Sequence, residues 1–263
     1  MWAIPMRSNA CLSGLVADQE EEVGRGIASS FVESSEIFVT LKLWNKRHRP
    51  DKRLKNLQLD CLDSYLIHWP VAFFLLDDCP IEHTWHAMEK LVKDGKVRSI
   101  GVSNFTKEKL KELLRYVVIP PTVNQIGAHP YLQQSELLDF CKESNIVVTV
   151  YSSLGNNIYN IPRVKLAKEP AQVLISWAVQ AELPSFQKVS LHHESNPISV
   201  TLCFRSTILP KISILEKNLR MNLPMRWGYN VFGEAGEEEV TKVAKKLAEE
   251  RVKAKAARKY AWM

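Results

Sequence analysis

Residues 84–105 read TWHAMEKLVKDGKVRSIGVSNF, and the spacing of their apolar residues changes once, at Asp94-Gly95. Before that point Trp85, Met88, Leu91 and Val92 recur at helical spacing, so Ile81–Lys93 is predicted to be a helix with one face to bury. After it, Val97–Val102 (VRSIGV) is a short, near-continuous apolar run, the pattern of a buried strand. Asp94-Gly95 is then the turn that closes the helix, since glycine tolerates the left-handed backbone needed there.

The alternation recurs on both sides of this stretch. Strands are predicted at Glu36–Leu43 (EIFVTLKL), Leu62–His68 (LDSYLIH), Thr122–Gln125 and Ile146–Tyr151 (IVVTVY), and helices at Gln19–Ser30, Thr106–Arg115, Ser135–Glu143 and Pro170–Gln180. Strands that read as apolar on both faces and alternate with helices predict an α/β fold with a parallel sheet. No strand is evident before Gln19. After Gln180 the rhythm is lost, and it returns only in the Glu-, Lys- and Ala-rich stretch Glu237–Lys259, where Val240, Val243, Leu247 and Val252 form a narrow stripe. That stretch is read as a solvated helix or as one that binds a partner.

Composition bounds the alternatives. The chain has 263 residues, 46% hydrophobic and 24% charged, which fits a globular protein rather than a disordered one. A barrel of alternating strands and helices uses about 250 residues as one domain. The longest apolar run, Trp69–Leu76, falls short of the ~20 residues of a membrane helix, so no membrane span is expected. The N-terminus lacks a basic segment followed by an apolar one, which leaves a cytoplasmic location as the expectation. Lys and Arg number 35 against 29 Asp and Glu, a net charge of +6. This excess is too diffuse, and too poor in interleaved aromatics, to predict nucleic-acid binding. Five scattered cysteines without a CxxC pair are expected to be reduced thiols. His83 and His86 have a spacing that suits a metal, but no third ligand or supporting carboxylate is identified, so exposed histidines and no metal are expected.

In parallel α/β barrels the site lies at the carboxyl ends of the strands. Those ends carry Lys42-Leu43-Trp44-Asn45, His68-Trp69-Pro70, Ser103-Asn104, Asn124-Gln125 and Tyr151-Ser152. Polar or aromatic groups at successive ends of apolar strands point to one shared site.

The segments FVTLKLWN (38–45), LQLDCLDSYLIHWPV (57–71), TWHAMEKLVKDGKVRSIGVSNF (84–105), TVNQIGAHPYLQQSELLDFC (122–141), VTVYSSLG (148–155) and PAQVLISWAVQ (170–180) closely resemble the aldo-keto reductase family, in particular its NADP-dependent alcohol and glycerol dehydrogenase-like members. The resemblance covers about Glu20 to Gln180. It implies a (β/α)8 TIM barrel, here with first strands missing and the last strand–helix unit altered. It also implies reversible NADP(H)-dependent reduction of an aldehyde or ketone to an alcohol, by a monomer acting on small molecules. Carried over by motif, Lys42 (in KLWN) is the cation that lowers a tyrosine pKa, and His68 (in IHWP) orients the carbonyl oxygen. Trp44 and Trp69 would wall the substrate pocket. Ser103, Asn104 and Gln125 would hold the nicotinamide carboxamide, and Tyr151 would stack on the nicotinamide, with Ser152 beside it.

The chain departs from the family pattern in two places. The family writes D-x-x-x-x-Y ahead of its first helix, where Asp pairs with the Lys and Tyr is the general acid. Counted back without gaps from Gln19-Glu20-Glu21-Glu22-Val23-Gly24, those positions hold Leu12 and Ala17, neither of which can transfer a proton. The second departure is SFQKVSLHHESNPIS (185–199), where the family carries a Lys, Ser and Arg motif for the 2′-phosphate of NADP. Moving the codon boundary back by one base lets this stretch encode VLPKSVTPSRIKSNF, which contains that motif. Residues 184–214 are accordingly read as frame-shifted, 1–19 as a divergent N-terminal segment, 20–183 as the barrel core and 215–263 as a C-terminal tail. The competing expectation is a catalytically dead pseudoenzyme or interaction module that keeps part of the nicotinamide pocket.

Overall fold

The computed structural model describes residues 10–13, 20–29, 36–43, 59–71, 80–151, 174, 176–179, 185–186, 212, 214–220, 231–233, 236, 238 and 242. The chain divides into two compact units, 1–219 and 220–263. In the second, the Arg220 guanidinium stands 4.0 Å from the centre of the Phe232 ring. Glu238 and Lys242, the described residues of the predicted Glu237–Lys259 helix, are helical.

The first unit is built on a parallel sheet of seven described strands that pair in chain order. They are β1 (Ala10–Ser13), β2 (Ile37–Leu43), β3 (Leu62–Ile67), β4 (Val97–Ser103), β5 (Val123–Gly127), β6 (Val147–Tyr151) and β7 (Ser185–Phe186). The helices are α1 (Glu20–Ala28), α2 (Ile81–Lys93), α3 (Lys107–Leu113) and α4 (Ser135–Glu143), lying between β1 and β2, β3 and β4, β4 and β5, and β5 and β6. Parallel neighbours need such crossovers, because a tight turn can join only antiparallel strands. Leu174 and Ser176–Val179, within the predicted Pro170–Gln180 helix, are helical, and the remaining positions of that stretch lie outside the described residues.

Two strands correct the sequence reading. β1 lies ahead of Gln19, where no strand was evident, and pairs with β2 in the register Ala10↔Ile37 to Ser13↔Thr40. β7 lies in the stretch without rhythm and pairs with β6 through Val150↔Ser185 and Tyr151↔Phe186. Both are shorter than the window over which periodicity is detectable, and both are held by a neighbouring strand rather than by a pattern of their own.

The element ends have local causes. At the end of α2 the amide of Gly95 donates to the Val92 carbonyl and that of Lys96 to the Leu91 carbonyl, with Gly95 at φ 69°. This pair of bonds is the Schellman closure expected of Asp94-Gly95. Thr106 caps α3, its hydroxyl accepting from the Lys109 amide, so the helix begins one residue after its predicted start. Strand β4 runs one residue further than predicted because Ser103 pairs with Gln125, and β5 two residues further because Gly127 pairs with Tyr151.

The core lies between the sheet and its helices. Leu41, Leu62, Tyr65, Ile100 and Val102 of the strands and Trp85, Met88, Leu110 and Leu113 of the helices are buried. Each such side chain contributes about 1.5–3 kcal/mol of transfer free energy. Gly101 marks the tightest approach. A Cβ there would stand 2.6 Å from the Val123 carbonyl oxygen and 2.8 Å from Leu66 Cδ2, so β4 can sit between its neighbours only without one.

Glu89 is the buried charge of this layer. Its carboxylate accepts the amides of Val118 and Ile119 at 2.7 and 2.9 Å and contacts His86 Nδ1 at 3.1 Å. Burial pushes its pKa up, but the bonds from Ile119, His86 and Val118 more than offset this and hold the carboxyl below its ordinary value. His86 also lies 3.8 Å from Glu82. Sequence alone identifies no carboxylate beside this histidine. The two glutamates lie one helical turn away on either side, at i−4 and i+3. Among the described residues no group of three His, Cys, Asp or Glu side chains could hold a metal ion. Among them, too, no helix is long and apolar enough to cross a membrane.

Candidate active site

All strands of a parallel sheet end on the same side, so residues at equivalent ends are brought together whatever their separation in sequence. Lys42 is the penultimate residue of β2, His68 follows β3, Ser103 ends β4 and Asn104 follows it, Gln125 lies within β5, and Tyr151 ends β6. The structure thus gathers six of the predicted site residues on one end of the sheet. Leu12 lies in β1 opposite Val39. Ala17, Trp44 and Ser152 lie outside the described residues.

Lys42 is buried, and its Nζ stands 5.5 Å from the centre of the Tyr151 ring. Burial disfavours the ammonium and lowers its pKa to about 8, which puts neutral and charged forms within reach of each other at physiological pH. The Tyr151 face partly replaces lost hydration by a cation–π contact.

His68 leaves the ladder that Ile67 completes, because its polar main-chain groups find other partners. Its amide donates to the Leu43 carbonyl at 3.2 Å, and its carbonyl accepts from Asn104 Nδ2 at 2.9 Å. Its ring stacks on that of the buried Trp69, centres 5.8 Å apart. The predicted strand Leu62–His68 is therefore one residue too long, and the residue it loses is His68, just past the carboxyl end of β3.

Ser103, Asn104 and Gln125 are all buried. The Ser103 hydroxyl donates to the Gln125 carbonyl at 2.8 Å, and the Asn104 amide donates to the same oxygen at 2.9 Å. The Tyr151 hydroxyl donates to Asn104 Oδ1 at 2.5 Å. A Cβ on Gly127 would touch the Tyr151 ring at 3.4 Å, so glycine there lets the ring lie close to the main chain of β5.

Three supporting residues carry no role in the sequence reading, Asn124 being named there only as part of a strand end and His129 and Glu216 not at all. Asn124 Nδ2 donates to the Phe105 carbonyl and fixes the turn after β4. Its place beside Gln125 was the available signal. His129, in the loop after β5, is 1% exposed, and neither ring nitrogen has a hydrogen-bond partner among the described residues. Burial lowers its pKa to about 4, against the opposing pull of Glu216. Glu216 itself accepts from the amides of Gln133, Lys217 and Asn218, while the amides of Lys217 and Leu219 donate to the Tyr131 carbonyl. No local pattern around Glu216 announces this long-range contact.

The model of the aldo/keto reductase family matches residues 17–165, more than half of the chain. The chain belongs to the aldo/keto reductase family. Among curated relatives of this reductase chain, the NAD(P)H-dependent D-xylose reductase of Candida tenuis is 35% identical over 79% of the chain and 81% of its own length. An aldehyde reductase of Saccharomyces cerevisiae is 37% identical, with 80% of each covered. Among solved structures, the aldose reductase of Schistosoma japonicum superposes with a TM-score of 0.72 at 30% identity, covering 88% of this chain and 87% of that one. An aldo-keto reductase of Bombyx mori in complex with NADP does so with a TM-score of 0.67 at 29% identity, covering 79% and 78%. The parallel sheet with helical crossovers is thus a partial (β/α) barrel of the reductase family.

Proposed function

We propose that this chain reduces an aldehyde or ketone to the alcohol with NADPH, and catalyses the reverse reaction with NADP. The observation that carries this reading is the convergence of Lys42, His68, Ser103, Asn104, Gln125 and Tyr151 on the carboxyl ends of successive strands in a reductase-family sheet. Relatives named as NAD(P)H-dependent and NADPH-dependent reductases support it.

The residues fit the cofactor. A hydroxyl and two amides suit a carboxamide, and the Tyr151 ring, which lies close to Gly127, suits a nicotinamide face. NADPH supplies the hydride when bound. The chain's own part is to hold and orient: His68 donates an N–H to the carbonyl oxygen, the Lys42 cation favours negative charge developing nearby, and Trp69 with Trp44 shapes the pocket. The family resemblance assigns Ser152 to the cofactor as well.

A second reading is a pseudoenzyme or interaction module that keeps the nicotinamide pocket. Leu12 and Ala17 favour it, since neither supplies the Asp or the Tyr acid that the family pattern writes there. Their loss corresponds to roughly 10²–10⁴-fold in rate. It is the reductase reading that takes residues 184–214 as translated out of frame and the protein as a cytoplasmic monomer.

Titration with NADPH followed by turnover on a panel of short aldehydes separates the two. Aldehyde-dependent NADPH consumption supports the reductase. Binding without consumption supports the pseudoenzyme, and absence of binding overturns both.

A further inference from the structure

Lys42 belongs to β2, yet its Nζ stands 5.5 Å from the centre of the Tyr151 ring on β6, so the side chain reaches into the space that the sheet encloses. In the pairing of β2 with β3, Lys42 stands opposite Leu66, and the next residue, Leu43, receives the His68 amide. The amine and the imidazole thus belong to adjacent strand ends. Only 7% of Lys42 is exposed. Leu12 of β1, where the family pattern writes the Asp that pairs with this lysine, brings no charge toward it. Removed from water, the amine gives up its proton more readily than a surface lysine does, titrating at about 8. A neutral amine has a free lone pair, and a desolvated lysine is a nucleophile toward carbonyl carbon.

We propose that Lys42 forms an imine with small aldehydes that enter the site, so that the chain captures carbonyl compounds covalently as well as reducing them. The Nζ lone pair makes a bond to the carbonyl carbon. The nitrogen then gives up its two hydrogens and the carbonyl its oxygen, which leave together as water, and the C=O bond is replaced by C=N. No oxidant or reductant is consumed. A His68 N–H at the carbonyl oxygen assists the departure of that oxygen, as it assists reduction. Aldehydes are favoured over ketones because a buried amine leaves little room for a second carbon substituent. The proposal rests on one part of the reductase reading, the admission of carbonyl compounds beside Lys42 and His68, and not on turnover.

The test uses the full wild-type chain without NADPH. It is incubated at neutral pH with propanal and cyanoborohydride, which reduces an imine to a stable propylamine, and peptide mass spectrometry then locates the propyl groups. With a pKa of about 8 against 10.5 for an exposed lysine, the neutral fraction of Lys42 is roughly 300-fold larger. Lys42 is expected to gain a propyl group at least about tenfold faster than the other lysines, a margin that leaves room for slower entry into the site. In guanidinium that preference should vanish, and the chain's α-amino group, which titrates at about 8 when unfolded, is the standard for a reactive amine. Labelling of Lys42 no faster than that of other lysines would overturn the inference, as would a preference that survives unfolding. Aldehyde-dependent NADPH consumption without labelling of Lys42 overturns the capture and leaves the reductase reading standing. Labelling without consumption does the reverse.

Discussion

Lys42 Nζ lies 5.5 Å from the centre of the Tyr151 ring although their strands, β2 and β6, stand four positions apart in the sheet. At about 4.8 Å per strand a flat sheet would separate them by roughly 19 Å. The contact therefore requires the sheet to curl until its inner face closes around the two side chains. Curling is what turns a row of strand ends into a pocket, and it leaves Lys42 dry.

A dry ammonium makes stability depend on pH. The Lys42 pKa is about 8 in the folded chain against 10.5 for an exposed lysine, so between these values the unfolded chain binds more protons and stability rises with pH. Below pH 8 both states are charged and the full penalty applies. Lys42→Met should unfold at higher urea than wild type at pH 7, by up to about 3 kcal/mol, and its advantage should shrink as pH rises toward 10. Urea midpoints at pH 7, 8.5 and 9.5 check this, and an advantage independent of pH would contradict the burial of the charge. The same variant should lose aldehyde reduction.

Glu89 gives the opposite dependence. Its folded pKa lies below its ordinary value, so the stability it contributes is complete above the unfolded value and is lost as pH falls through the folded one. Glu89→Ala strands the amides of Val118 and Ile119 and should cost about 1–3 kcal/mol for each group left unsatisfied at neutral pH. Thermal melts of both proteins should converge on acidification; parallel curves would mean that the carboxylate contributes nothing as a charge.

Gly101→Ala tests the packing of β4. The added methyl meets main chain at 2.6 Å, which cannot move as a side-chain tip can, so a loss of about 1–3 kcal/mol is expected. An unchanged melting temperature would place β4 further from β5 than described.

Cofactor preference tests the reading of 184–214. With the Lys, Ser and Arg motif absent from the sequence as written, the 2′-phosphate has lost its clamp, and kcat/KM should differ little between NADPH and NADH. A large preference for NADPH would show that another set of cations does the same work.

Most of the sheet was legible because its strands are apolar on both faces and its crossovers carry helical stripes, as in Val97–Val102 and Trp85, Met88 and Leu91. The site residues that could be read were those whose type is unusual for a strand end, such as Lys42 and His68. What could not be read depends on distance. β1 and β7 exist through their neighbours. Glu216 reaches Gln133 across 83 residues, and nothing near either announces the other. The engagement of Asn104 by His68 and Tyr151 is likewise a property of three strand ends meeting, which no local pattern encodes.

The clasp of Ile212 and residues 214–219 on the loop after β5 bears on chain length. Ile212 and Glu216 receive Gln133, and Tyr131 receives Lys217 and Leu219. A product ending before residue 212, whether from a premature stop or from a protease, would lose all of these bonds at once. It would also lose the carboxylate of Glu216, the negative charge that acts on His129. Water reaching that imidazole would return its titration toward neutrality. A truncated chain would then carry, in the loop after β5, a proton-binding group that the longer one keeps silent.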